Sequence, residues 1–254
     1  DQHPTDSLDF NPLSGERPSH VLDHSKGAFK YASEASYKFS GTADDYKFSV
    51  LNDINPRSLF CLKNGSAQTF IEGLLKEREE SEGPLRVCDI GAAGGCFLSE
   101  LPEGVEGVGV SASDDRGDKF LDSPHAEKYI VGDVEHLSKL VEPNSLDVCV
   151  SRVSFYHLTD PLRALSQAYE TLKVGGHLLI DQFFVLGLKG RELEEMCTRL
   201  NERGYDIQAD YEINKKTGDI EGFKSLKIRK TLDHLVLPIR YKDGLAERIL
   251  NRPM

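Results

Sequence analysis

The stretch Arg86–Leu101, RVCDIGAAGGCFLSEL, holds three glycines within five residues, Gly91 to Gly95. It follows the short apolar run LRVCDI and leads into residues that read as a helix. A strand, a glycine-rich turn and a helix start form a ready site for a ligand's polar groups. The glycines remove Cβ atoms, and the helix end offers free N–H groups. The dinucleotide pattern G-x-G-x-x-G, begun at Gly91, would need glycine at positions 93 and 96. Ala93 and Cys96 stand there, so that pattern fails. The triphosphate loop fails as well, because no G-K-[ST] follows.

Outward from this turn, strand and helix signals alternate, the mark of a βαβ sheet. LRVCDI is a strand and GCFLSEL a helix; VEGVGVSAS is a second strand, RGDKFLDS a short helix and EKYIVGD a third strand. VEHLSKLV reads as a helix or turn, and NSLDVCVSR as a turn with a fourth strand. Asp160-Pro161 opens the next helix, with Asp160 or Thr159 as cap and proline at its first position. Leu162, Leu165, Tyr169 and Leu172 recur at helical spacing, and Gly175-Gly176 is expected to end that helix. HLLIDQFF is a fifth strand, followed by the helix GRELEEMCTRLNERG, closed by Gly204. The tail from Tyr205 to Tyr241 reads as two strand runs joined by a turn at Lys216-Thr217-Gly218-Asp219. Upstream, SAQTFIEGLLKEREESEG is a helix capped by Ser66 and stopped by Gly83-Pro84.

Residues 1–65 differ. They begin polar and proline-containing, then become rich in Tyr and Phe without a clean period. They read as a cap or lid segment of short helices and loops, with residues 66–254 as the main domain. Tyr31, Tyr37, Phe39 and Tyr46 are its candidates for lining an acceptor site, or for a small core of its own.

The chain has 254 residues with 39% hydrophobic and 29% charged, room for one large domain with an appendage. No apolar run nears the roughly 20 residues of a membrane helix. No signal-peptide core lies near the first residue, which is Asp1. The net charge of −11 disfavours a phosphate backbone as partner. The densest basic group, KSLKIRK from Lys224 to Lys230, alternates as a solvated strand face does. The five cysteines, Cys61, Cys88, Cys96, Cys149 and Cys197, form no C-x-x-C pair and suggest neither a disulfide framework nor a zinc cluster. Cys88 and Cys149 sit inside apolar strand runs as small buried residues. A reducing, cytoplasmic compartment is the corresponding expectation. The histidines His125, His136, His177 and His234 make no metal spacing, and no metal site is expected.

The glycine stretch resembles motif I of the class I S-adenosylmethionine-dependent methyltransferases, D/E-x-G-x-G-x-G, here as Asp89, Gly91, Ala93 and Gly95. The resemblance continues in register through GVGVSAS, VGDVEHL and the fourth strand, helix and LKVGG segment, covering about Leu85 to Phe184. It implies an α/β, Rossmann-like, doubly wound fold: a mostly parallel seven-stranded sheet with an antiparallel C-terminal strand and an N-terminal helical or loop cap. It implies S-adenosyl-L-methionine as cofactor and methyl transfer by in-line displacement to a small-molecule or protein acceptor. Under the resemblance, Asp89 orients the methionine amino group, and Gly91, Ala92, Ala93 and Gly95 let the backbone pass under the methionine and ribose. Asp133 accepts from the adenine amino group, with the Val134 N–H facing a ring nitrogen, and Ser151 lies by the methionine moiety. One position departs from the pattern. Where the second strand normally ends in a ribose-binding carboxylate stands Ser111, and a hydroxyl makes weaker bonds than an ionised carboxyl. Asp114 or Asp115 could serve instead.

A sulfonium already carries an activated methyl group, so the protein mainly positions the acceptor and excludes water. A general base helps only where the acceptor must lose a proton. The candidates are Arg152, Tyr156 and His157 in SRVSFYHLTDP, after the fourth strand at the carboxyl edge of the sheet, where open α/β sheets place ligands. The alternative to an enzyme is a cofactor-binding but inactive methyltransferase-like partner or regulatory protein, which Ser111 and Ala93 support. An aminopropyl transferase lacks its paired acidic motif here.

Overall fold

The computed structural model describes residues 66–92, 94–112, 114, 116, 121–152, 154–155, 158, 160–183, 185, 188, 190–242 and 245–248. Their order is α1 (Ala67–Glu77), β1 (Leu85–Ile90), α2 (Cys96–Ser99), β2 (Val105–Ser111), β3 (Tyr129–Val131), α3 (Leu137–Leu140), β4 (Leu146–Arg152), α4 (Pro161–Thr171), β5 (Leu172–Phe183), α5 (Arg191–Glu202), β6 (Asp206–Ile213) and β7 (Ile220–Arg229). A separate hairpin of β8 (Ile239–Lys242) and β9 (Leu245–Arg248) follows.

The seven strands β1 to β7 lie in the order β3-β2-β1-β4-β5-β7-β6. β3, β2, β1, β4 and β5 pair in parallel, and β7 runs antiparallel to both β5 and β6. This is the Rossmann-like sheet implied by the resemblance. Alternation along β1 and β4 divides the core between the two faces. Val87, Val148, Val150 and Leu179 pack with Ala67 and Ile71 of α1 and with Phe97 and Leu98. Cys88, Ile90, Cys149, Leu178 and Ile180 pack with α4 and α5 through Leu165, Tyr169 and Leu193. Burial on both faces explains why β1 and β4 read as near-continuous apolar runs. Cys88 and Cys149 are the buried free thiols expected of them.

The helix starts follow their capping residues. The Ser66 hydroxyl accepts from the Thr69 N–H at 3.2 Å, and Asp160 Oδ1 accepts from the Arg163 N–H at 2.9 Å, with Pro161 in the first turn of α4. Helix ends depart from the expectation. α1 stops at Glu77, before Gly83-Pro84, where the Arg78 guanidinium takes the carbonyls of Glu82 and Gly83. α4 stops at Thr171, and Gly175-Gly176 lies inside β5 rather than ending the helix. The β4–β5 register jumps there, from Leu146 opposite Leu172 to Val148 opposite His177. The extra residues form a bulge held by Lys230. The Gly175 N–H donates to the Lys230 carbonyl and the Lys230 N–H to that of Gly176, both at 2.8 Å. The Lys230 ammonium, almost wholly buried, also donates to Leu172 O and Asn144 Oδ1 at 2.8 Å.

A Cβ on Gly176 would stand 2.9 Å from Lys173 O, 3.0 Å from Asp147 O and 3.1 Å from Leu146 O. All three are backbone atoms rather than flexible side-chain tips, and Leu146 is held by its pairing with Leu172, so they do not give way cheaply. Gly176→Ala is expected to cost about 1–3 kcal/mol of stability, read as a lower urea midpoint. An unchanged midpoint would show that the bulge relaxes freely.

The β8–β9 hairpin was not anticipated from the sequence, where LPIRY reads as the end of the second tail strand. Residues 1–65 and residues 117–120 of the expected helix RGDKFLDS lie outside the described residues. Among those described, no helix is long and apolar enough to cross a membrane.

Candidate functional site at the carboxyl edge of the sheet

Parallel strands β1, β2 and β4 all end at one edge, and their last residues are the site candidates. Asp89 stands in register with Gly109 of β2 and Val150 of β4, and Ser151 with Ile90 of β1 and Ile180 of β5. Asp89 is 8% exposed, and its carboxyl group makes no hydrogen bond with a described residue. Burial alone pushes its pKa up from the ordinary carboxylate range to about 7.

The turn after β1 is held down by the sheet. The N–H groups of Gly91 and Ala92 both donate to Val110 O, at 2.7 and 3.2 Å. They are therefore not free for a ligand, and α2 is only four residues long. What the turn offers is the absence of side chains rather than a battery of helix-end donors. Gly91 has φ +81°, and a Cβ placed on it would lie 2.3 Å from Ser154 Cβ. The loop after β4 thus folds back over the glycine. Ser151 Oγ and Ser154 Oγ lie 3.1 and 2.9 Å from Ile90 O and against each other, so their two protons are shared among these three contacts. Gly95 opens α2 in the left-handed region.

Asp133 is buried and caps the turn that contains Val134. Its Oδ1 accepts from the Glu135 N–H at 2.9 Å, and its Oδ2 lies 3.3 Å from His136 Nδ1. Each carboxylate oxygen retains a further lone pair. The next residue, Val134, is buried beside it. Glu135, which the sequence reading overlooked, accepts the Asp160 N–H at 2.8 Å. It ties the Asp133 segment to the start of α4, and so to the end of the loop after β4. Nothing in the sequence marks Glu135, whose burial only the fold shows.

Ser111 ends β2, buried, with its carbonyl accepting from Gly132 at 2.8 Å. Asp114 is gripped by the Arg116 fork, Nε to Oδ1 and Nη2 to Oδ2, both 2.8 Å. That hydrogen bonding holds the Asp114 carboxyl below its usual range. Its carboxylate is therefore already engaged, whereas Asp115 lies outside the described residues. So do Ala93, Tyr156, His157 and the four N-terminal aromatics. Of the three catalytic candidates only Arg152 is described. It ends β4 opposite Asp181 of β5, with Nε 3.6 Å from Asp181 Oδ2. Asp181, inside the apolar run HLLIDQFF, is a second site-edge residue that the sequence does not single out. Among the described residues no group of three His, Cys, Asp or Glu side chains could hold a metal ion.

A family model described as "Methyltransferase domain" matches residues 64–208, more than half of the chain. No curated protein matches it. Many solved structures do. The CurJ carbon methyltransferase is 15% identical with TM-score 0.45, the alignment covering 65% of this chain and 53% of that one. Phosphoethanolamine N-methyltransferase 2 of Haemonchus contortus, solved with S-adenosyl-L-methionine, is 18% identical with TM-score 0.49, covering 85% and 62%. The YcgJ protein of Bacillus subtilis is 16% identical with TM-score 0.43, covering 63% and 97%. This chain thus spans about half the length of the CurJ chain and less than two thirds of the Haemonchus one.

Proposed function

This chain belongs to the class I S-adenosylmethionine-dependent methyltransferases, and from that premise we propose that it transfers a methyl group to a small molecule or a protein side chain. The observation that carries the reading is Asp89, a buried carboxyl group at the carboxyl edge of the sheet with no hydrogen-bond partner among the described residues. A cationic amino group fits it. The side-chain-free turn at Gly91 and the buried Asp133 follow β1 and β3, which flank β2 in the sheet, at the same edge, as a ligand with an amino-acid end and a base requires.

In this reading Asp89 holds the methionine ammonium of S-adenosylmethionine. Gly91, Ala92, Ala93 and Gly95 leave room for the methionine and ribose. Ser111 faces the ribose, Asp133 and Val134 hold the adenine edge, and Ser151 keeps the floor by its bond to Ile90 O. The bound cofactor supplies a methyl group on a sulfonium, activated for in-line attack. The chain's task is then to orient the acceptor and keep water out. Arg152, Tyr156 and His157 are the positions from which an acceptor would be held or deprotonated.

Asp133→Asn separates the cap from the ligand role, because an amide oxygen can still accept from Glu135. It is expected to weaken S-adenosylhomocysteine binding by about 1–3 kcal/mol in calorimetry. Unchanged affinity would assign Asp133 to the cap alone.

Ser111 favours a second reading, a cofactor binder that transfers nothing, since no carboxylate of a described residue stands ready for the ribose. Turnover decides between them. The protein is incubated with cofactor carrying a tritiated methyl group and fractionated cell extract. Label is expected in small-molecule or protein fractions, and lost with Asp89→Ala. Cofactor binding without label in any fraction would establish the second reading, and label in nucleic acid would contradict the acceptor class.

A further inference from the structure

Arg152 presents a local inconsistency. Its Nε and Nη1 are buried, yet neither makes a hydrogen bond. The facing Asp181 Oδ2, at 3.6 Å from Nε, lies beyond hydrogen-bond range. A buried guanidinium normally satisfies its donors, because desolvated N–H groups without acceptors are costly and more so when charged. Asp181 offsets the charge and fixes the Nε side of the group. Nη1, at the far end, likewise has no acceptor among the described residues. The side chain as a whole is 24% exposed, so part of it can be approached.

The position adds to the chemistry. Alternation puts Arg152 on the face of β4 that carries Val148 and Val150, and Asp89 on the face of β1 that carries Val87, the same side of the sheet. Asp89 pairs with Val150, two residues before Arg152. An acid and a guanidinium, each short of partners among the described residues, therefore share one face at one edge. The end of a guanidinium matches two oxygens on one atom better than any single acceptor.

We propose that Arg152, steadied by Asp181, is a carboxylate seat in the methyl-transfer cleft. Its guanidinium donates to the carboxylate from the part of the side chain that is exposed. The carboxylate comes either from the acceptor or from the cofactor's own methionine end. This rests on the assignment of that edge as the transfer site. Asp181 is here a positioning residue, acting through Arg152.

The test is nitrogen NMR of protein labelled at arginine Nε, with the Arg152 signal identified by its loss in Arg152→Gln. Sodium acetate is titrated at constant ionic strength into the free protein. The Arg152 signal is expected to move saturably in the millimolar range, and Asp181→Asn to weaken that response at least threefold. S-adenosylhomocysteine and its decarboxylated analogue are then added separately. If only the former moves the signal and blocks acetate, the carboxylate is the cofactor's. If neither blocks acetate, it is the acceptor's. An Arg152 signal indifferent to acetate and to S-adenosylhomocysteine overturns the seat. A response to acetate in a protein that binds no S-adenosylhomocysteine keeps the seat and removes the methyl-transfer reading instead.

Discussion

Gly91→Ala is expected to lose measurable cofactor binding and a large part of the protein's stability. Two independent costs fall on this one methyl group. At φ +81° an L-residue is strained, by about 1–2 kcal/mol. The added Cβ would also lie 2.3 Å from Ser154 Cβ and 2.7 Å from its Oγ, and overpacking of this kind costs about 1–3 kcal/mol. The sum, about 2–5 kcal/mol, is a large share of an ordinary folding margin of about 5–15 kcal/mol. Relief would require the loop after β4 to lift away, breaking the bonds of Ser151 and Ser154 to Ile90 O. Chemical denaturation and calorimetry of Gly91→Ala, beside Gly91→Ala with Ser154→Gly, separate the two costs. The second substitution should restore the collision part only. If it restores nothing, the loop does not press on the glycine as described.

The pH dependence of cofactor binding should be the second large effect. Burial raises the Asp89 pKa to about 7 in the free protein. Below that pH the folded protein keeps a proton that the unfolded chain has already released. The stability contributed by neutral Asp89 is therefore fully present below the ordinary carboxylate range, and is lost as pH rises to about 7. Binding runs the other way. A cationic amino group needs the ionised carboxylate, so binding must expel the proton. Between pH 8 and pH 6 affinity for S-adenosylhomocysteine should fall about tenfold. Proton release should show as a buffer-dependent heat near pH 6. Asp89→Asn should bind weakly at both values without that dependence. A flat profile in the native protein would mean that Asp89 does not meet the ammonium.

How far such a site can be read before folding depends on how local its chemistry is. The strand–turn–helix unit around Gly91 lies within sixteen residues of sequence, and its spacing separates it from the dinucleotide pattern. Asp133 and Ser151 are placed near the ends of β3 and β4 because an apolar run announces each strand. The contact of Ser154 with Gly91 is invisible at that level, since it depends on a loop returning across the sheet from β4. The reason for the glycine is thus partly a neighbouring side chain, not only a ligand. Asp181 is hidden for a similar reason. It breaks an apolar run, and only the pairing of β4 with β5 shows that it faces Arg152. The Gly175-Gly176 pair was misplaced because glycines that end helices and glycines that form bulges look alike in sequence. The Lys230 carbonyl and N–H, from the far end of β7, settle which it is.

The central claim is that the edge formed by Asp89, Gly91 and Asp133 binds S-adenosylmethionine. Isothermal calorimetry of the native protein with S-adenosylmethionine and S-adenosylhomocysteine at pH 8 tests it most directly. The account predicts one site per chain for each, with the affinity of both reduced by Asp89→Ala. Absence of binding at millimolar cofactor, or binding that Asp89→Ala leaves unchanged, would contradict it.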